Sequence, residues 1–386
     1  MVGGFIMDEF VCPVCGNSNK TYIGHKNGKP YCRRCITFRG QEVSNTYSIN
    51  NNGEYTLHYE LSPEQKRISK RLIENFIIGV DSLVHAVCGS GKTEIVLGVI
   101  SYAIKHNMKV GFAIPRRDVV RELYLRFKSI FLNNKVIAVY GDHSRILNGD
   151  LICLTTHQLF RYPHYFDLLI IDEIDAFPYN GNDVLKAFFV RSLKGHYILL
   201  SATPSKEVLE EFSTNEKCIL NLNKRFHNHP IPIPRLSIHA GLIRFFHLVQ
   251  EIKRFLAQNK PIFVFCPTID VCEQTFDVLR VIFKNVGYVH SKCLDRNERI
   301  ENFRKGYFKI LVTTAVLERG VTVKNLQVIV FGADHPLYTS ACLIQIAGRV
   351  GRKKDAPDGE VVFIAKKETN EMVEAVNEIR KANESL

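Results

Sequence analysis

No apolar run in this sequence approaches the roughly 18 residues of a membrane span, because acids or bases interrupt every hydrophobic stretch. The opening residues MVGGFIMDEF lack both a basic segment and a long apolar one, so no secretory signal is expected and a cytoplasmic protein is. No internal sequence repeat is present either. Acidic excess is also missing: 51 Lys and Arg stand against 39 Asp and Glu, a net charge of +12. With 46% hydrophobic and 23% charged residues, the composition excludes a disordered or fibrous chain. At about 150 residues per domain, 386 residues suggest two or three domains.

The basic excess is spread unevenly. Residues 1–60 carry six Lys/Arg against five Asp/Glu, and residues 236–386 carry 22 against 17, so the rest lies in 61–235. An excess on both large segments is what a polyanion lying across both would require.

Four of the eleven cysteines cluster as CPVC (12–15) and CRRC (32–35), sixteen residues apart. Two-residue spacing lets both thiolates of a knuckle face one tetrahedral Zn²⁺. Cys12, Cys15, Cys32 and Cys35 are therefore expected to hold one zinc. Four thiolates leave no open position, so its role would be structural. A cytoplasmic setting disfavours the alternative of disulfides. His25 lies between the knuckles and is expected at the surface. The polar stretch 39–58 reads as a linker or an exposed hairpin region.

Beyond it, continuous apolar runs alternate with helix-length amphipathic stretches. The first series is SLVHAVC (82–88), VGFAIP (110–115), VIAVYG (136–141), DLICLT (150–155), FDLLIID (166–172) and HYILLSA (196–202). The second is PIFVFCPT (261–268), FKILVTTA (308–315), LQVIVFGA (326–333) and EVVFIAK (360–366). Such runs predict buried parallel strands in α/β layers. The Pro-rich NHPIPIPR (228–235) cannot continue a helix and is expected to join two halves. The division expected is 1–58 for the zinc module and linker, then 59–235 and 236–386 for the two larger domains.

In the first of these, a strand, a glycine-rich turn and a helix run through SLVHAVCGSGKTEIVLGVI (82–100). Gly89, Ser90, Gly91, Lys92 and Thr93 fit a P-loop, in which backbone N–H groups cradle phosphates, the lysine meets the β/γ-phosphates and the threonine reaches Mg²⁺. Ala86 stands where the strict pattern has glycine. Eighty residues after Lys92, an apolar strand delivers Asp172 and Glu173, the carboxylates for Mg²⁺ and for activating water. Asp175 is a coupling candidate.

Gln345, Arg349 and Arg352 in QIAGRVGR (345–352) are spaced to share one helix face, with Gly348 and Gly351 admitting another lobe. Guanidinium groups aimed at a nucleotide on the first lobe would stabilise phosphoryl-transfer charge. LSPEQ (61–65) opens a helix, with Ser62 as cap and Pro63 as first residue.

The P-loop, DEID, SAT (201–203) and QIAGRVGR together resemble superfamily 2 helicases and translocases. The fold class implied is α/β, with two RecA-like P-loop domains of parallel sheets flanked by helices, preceded by the four-cysteine zinc module. The N-terminal cysteines, GSGKTE, DEIDAFPY and HPLYTSACLIQIAGRVGR together resemble one family within it, the ComFA family of competence proteins. That resemblance implies an ATP-driven single-stranded DNA translocase in uptake of transforming DNA. It also implies ATP with Mg²⁺, a ComFC-like protein and a membrane uptake channel as partners, and placement at the inner face of the membrane. Gln65 resembles the adenine-reading glutamine of the superfamily, or else is an ordinary surface residue of a helix's first turn.

Backbone-contacting loops of related proteins map onto Pro115, Arg116 and Arg117, then Thr155, Thr156, His157 and Gln158. In the second lobe they map onto Thr313 and Thr314, with His290 and Ser291 less clearly. Glu318, Arg319 and Gly320 resemble the segment linking these loops to ATP. Such groups position phosphates without reading bases. Rival readings are a replication-restart helicase resembling PriA, an RNA helicase, or a nucleotide-switched scaffold with little translocation. PriA-like proteins carry zinc ligands late in the motor, whereas here the cysteines precede it.

Overall fold

The computed structural model describes residues 10–384 apart from 39, 88, 142, 144, 176–178, 180, 214–215, 223, 226–228, 318–322 and 354. The chain divides into two compact units: Met1–Ala86 with Gly91–Leu222, and Asn223–Leu386, with Val87–Ser90 counted with the second. Both are parallel α/β layers of RecA-like type.

In the first unit the cysteine module carries a short hairpin, β1 (Ile23–Lys26) with β2 (Lys29–Cys32). The sheet that follows uses β3 (Asp81–Ala86), β4 (Val110–Ile114), β5 (Val136–Val139), β6 (Leu151–Thr155), β7 (Phe166–Asp172), β8 (Leu193–Ser201) and β9 (Lys217–Leu222). Its spatial order is β5-β6-β4-β7-β8-β3-β9, every pairing parallel. β4, β5 and β6 are buried at every residue, which is why they appear in the sequence as unbroken apolar runs.

The second unit has β10 (Arg235–Ile238), β11 (Ile262–Phe265), β12 (Val286–Val289), β13 (Ile310–Thr313), β14 (Gln327–Phe331) and β15 (Val361–Ala365), ordered β10-β15-β14-β11-β13-β12 and all parallel. β9, β10 and β12 are not among the apolar runs. Each is an edge strand with a mixed burial pattern, so no continuous hydrophobic stretch announces it.

Two segments depart from expectation. Residues 40–58 are a strap on the first unit, pinned along their length. Val43 N donates to Arg161 O at 2.7 Å, Tyr47 Oη to Asp150 Oδ1 at 3.1 Å, and Thr56 N to Ile130 O at 3.1 Å. Ser101 Oγ donates to Gly53 O at 2.6 Å. The anchors are backbone groups of Val43, Gly53 and Thr56 and the Tyr47 hydroxyl, none of which the polar composition announces. The chain also passes from one unit to the other just after Leu222, ahead of the Pro-rich segment. Ile231 is buried within the second unit, where its N–H and C=O bond the Asn383 side chain at 2.9 Å each.

Among the described residues no helix is long and apolar enough to cross a membrane.

Candidate functional site

The helix Pro63–Ile77 begins as the sequence predicts, with Pro63 at its first position and Ser62 as its cap. Gln65 N donates to Ser62 Oγ at 3.2 Å while Gln65 Oε1 accepts from Ser62 N at 2.9 Å, a reciprocal capping box. Gln65 is buried, so it is not an ordinary surface residue. Its Nε2 faces Gly91 so closely that a Cβ there would collide with it.

β3 ends at Ala86 and the chain turns into the helix Lys92–Ile95. Gly89 and Gly91 both sit at φ +83, a left-handed backbone that other residues rarely adopt. Ser90 between them is buried, and Lys92 and Thr93 are half-buried at the helix start. Cys88 lies outside the described residues.

Parallel register brings the other motifs to the same edge. β8 lies between β3 and β7, pairing His85 with Ser201 and Asp172 with Leu200. At about 4.8 Å per strand, the C-terminal ends of β3 and β7 are about 10 Å apart, with Ser201 between them. Open parallel sheets bind ligands outside these ends.

Glu173, next after β7, has φ +61. A left-handed glutamate is strained, and it is held there by its N–H, which donates to Asp172 Oδ1 at 2.8 Å and to Leu200 O at 3.1 Å. Asp175 accepts hydrogen bonds from the SAT segment. Ser201 Oγ donates to it at 2.8 Å and Thr203 Oγ1 at 3.0 Å, tying SAT to DEID. A phosphate cradle, a hydroxyl at Thr93 and two carboxylates on one edge are the parts needed to bind a Mg²⁺–nucleoside triphosphate and activate water.

Sequence reading missed a cluster behind the P-loop. Tyr59 Oη donates to Glu94 Oε1 at 2.6 Å, Arg126 pairs with the same oxygen, and Arg126 Nη2 reaches Tyr59 Oη at 3.1 Å. Burial and the Glu94 carboxylate push the Tyr59 phenol up to about 12. Glu94 stands inside the motif GKTE, but nothing in the spacing of Tyr59 or Arg126 identifies them as its partners.

In the second unit Gln345 lies on the helix Ser340–Ala347, and both Gln345 and Arg349 are 3% exposed. The helix stops at Ala347, so Arg349 and Arg352 lie on the turn after it and not on a shared helix face. Two glycines explain the ending: Gly348 caps the helix, and Gly351 is left-handed at φ +67. A Cβ on Gly351 would strike Pro357 O, so this glycine admits its own unit's backbone. Arg352 Nε folds back to Gly348 O at 3.0 Å.

The candidate nucleic-acid residues divide. Ile114 pairs with Thr155, so the loops after β4 and β6 are neighbours. Arg116 and Arg117 offer half-buried and exposed guanidinium groups at the start of the helix Arg117–Ile130. Pro115, Thr155, Thr156 and Thr313 are buried, so they present backbone at most. Thr156 Oγ1 has no hydrogen-bond partner among the described residues. Thr313 Oγ1 donates to Thr314 O at 3.1 Å. His157 stacks on Phe38 with centroids 6.0 Å apart, and burial lowers its pKa. Gln158 is occupied by Arg161 Nε at 2.6 Å. His290 is buried against Glu273 at 3.1 Å, Ser291 is exposed, and Thr314 is half-buried. Glu318, Arg319 and Gly320 lie outside the described residues.

The four cysteine Sγ atoms lie within 4.8 Å of one another, with Cys12–Cys35 at 3.5 Å and Cys15–Cys32 at 3.6 Å. Zn–S bonds of about 2.3 Å in a tetrahedron set S···S near 3.8 Å, so the set fits a Zn²⁺. Disulfides, at about 2.05 Å, do not fit. His25 is exposed, outside the cluster. Burial pushes the Cys15 thiol up to about 11, while, despite burial, hydrogen bonds from the backbone of Arg34 and Cys35 lower that of Cys32. The module is seated on the first unit. Arg34 pairs with Asp183 at 3.3 Å, and Phe38 packs edge-on to Phe188 at 5.0 Å.

Residues 63–212 match the DEAD/DEAH box helicase family and 245–354 the helicase conserved C-terminal domain. The fold resembles S. cerevisiae Dbp5 bound to RNA and ADP BeF3, with TM-score 0.64 and 17% identity, over 84% of this chain and 92% of that one. The two helicase domain families define a nucleic-acid-dependent ATPase of helicase superfamily 2, and they imply ATP with Mg²⁺.

The chain is 33% identical to competence protein ComFA of Bacillus subtilis (strain 168), over 97% of this chain and 86% of that protein. Against competence protein ComFA of Streptococcus pneumoniae the figures are 34%, 92% and 86%. It belongs to the ComFA family. A DNA helicase RecG of Staphylococcus epidermidis is similar at 24% identity, with half of its length covered.

Proposed function

We propose that this protein is an ATP-driven translocase on single-stranded DNA, serving uptake of transforming DNA. Lys92 and the loop Gly89–Gly91 would hold the β/γ-phosphates, with Gln65 braced against Gly91 on the adenine side. Thr93 and Asp172 would hold Mg²⁺, and Glu173 would orient and deprotonate the attacking water. Gln345, Arg349 and Arg352 would act on the charge that develops in phosphoryl transfer. Arg116 and Arg117, with backbone around Thr155, Thr156, His157, Thr313 and Thr314, would grip the sugar–phosphate chain without reading bases.

The observation that carries this reading is the meeting of Gly91, Asp172 and Ser201 motifs at one edge of the sheet, in a chain of the ComFA family. One structural Zn²⁺ in Cys12, Cys15, Cys32 and Cys35 would fasten the N-terminal module. A ComFC-like protein and a membrane uptake channel are the partners this role calls for, and they would bring the protein to the inner membrane face. ATPase rates with no polymer, single-stranded DNA, duplex DNA and RNA test it. Stimulation by single-stranded DNA above the others supports the reading; stimulation by RNA alone moves it to the RNA helicases.

A further inference from the structure

Arg225 is 2% exposed and is one of the largest fully buried side chains in the chain. A buried guanidinium must have its donors satisfied. Nη1 donates to Val350 O at 2.8 Å and Gly351 O at 3.1 Å, and Nη2 to Gly348 O at 3.2 Å. These carbonyls follow the C-terminus of the helix Ser340–Ala347, where carbonyls lack intrahelical donors and the helix dipole favours a cation. Gly348 O belongs to the peptide just before Arg349, and Gly351 O to the one just before Arg352. Gly348 O receives Arg352 Nε as well. With Gly351 left-handed against Pro357 O, the arginine-bearing turn is held in one conformation from inside.

Position in the chain adds a second fact. Arg225 comes three residues after Leu222, the last residue of β9, which pairs with Ala86 at the end of the P-loop strand β3.

We propose that Arg225 is a positioning residue for ATP hydrolysis: it fixes the turn that carries Arg349 and Arg352, and is itself tied by three residues of chain to the strand beside the P-loop. This rests on the reading of those two arginines as hydrolytic groups. Lysine retains the charge and the stem but cannot span three carbonyls with a planar fork. A misplacement of about 1 Å in a catalytic group is worth on the order of 10²-fold in rate.

Arg225→Lys should therefore keep ATP KM and nucleotide affinity near the parent, while DNA-stimulated kcat falls on the order of 10²-fold. The test measures kcat and KM for Arg225→Lys, Arg225→Ala, Arg349→Ala, Arg352→Ala, the Arg349→Ala/Arg352→Ala pair and that pair with Arg225→Lys added, below each variant's melting transition. If Arg225 works through the turn, adding Arg225→Lys to the Arg349→Ala/Arg352→Ala pair costs little more, because both groups it positions are already lost. Slow single finger variants together with an additive or absent Arg225 effect overturn this inference alone. Normal turnover in both finger variants overturns the reading beneath it, and the inference with it.

Discussion

The residues at the nucleotide edge do unequal things, and their substitution should separate them. Gly91 has a backbone at φ +83 and Gln65 Nε2 where a Cβ would go. Gly91→Ala should abolish most nucleotide binding with a modest loss of stability, of about 1–3 kcal/mol for a strained left-handed residue. Nucleotide titration beside a thermal melt checks this; full affinity would mean that the loop does not cradle phosphate. Lys92→Ala should impair binding and turnover together. Arg349→Ala should spare binding while turnover falls by roughly 10³-fold or more, the scale of an arginine finger. Isothermal titration with a slowly hydrolysed analogue, set against steady-state rates, distinguishes the two. The P-loop glycines, Lys92, Asp172, Glu173 and the four thiols were legible because local chemistry dictates them: left-handed turns, strand-end carboxylates, knuckle spacing. Tyr59, Arg126 and Arg225 were not, since each gains meaning only from a partner that the fold brings to it from far along the chain.

At the scale of elements, the fully buried strands were legible, the edge strand β5 among them, and the partly exposed edges β9, β10 and β12 were not. Central strands need apolar residues on both faces, while β9, β10 and β12 bury part of one face and read as ordinary mixed sequence. The strap 40–58 reads as a linker for a related reason: its Asn, Ser and Gly residues suit a loop, and only the anchors at Asp150, Arg161 and Ser101 make it a clamp. Cys12→Ser with Cys15→Ser should release the one zinc equivalent and free the module from Asp183 and Phe188, while ATP binding persists. Metal analysis and nucleotide titration on the same sample test both halves; retained zinc would overturn the assignment. Phe38→Ala removes a ring packed on His157, Phe160 and Phe188. For a half-buried phenylalanine a loss of about 2 kcal/mol is expected, below the 3–5 of a full core site. Loosening the 3₁₀ turn at Thr156–Arg161 should also weaken single-stranded DNA binding, measured by fluorescence anisotropy. Unchanged DNA affinity in that variant would detach the module from the polynucleotide track.

For the whole molecule, the central claim is that ATP turnover drives movement along single-stranded DNA. A motor that binds anywhere and runs to an end spends longer translocating per encounter on a longer strand. The measurement is DNA-stimulated ATPase rate against length of single-stranded DNA at saturating ATP and equal total nucleotide, with Lys92→Ala as the inactive control. The account predicts a rate that climbs with length and levels off once translocation outlasts rebinding. A rate equal for short and long strands would contradict it, leaving a nucleotide-switched scaffold.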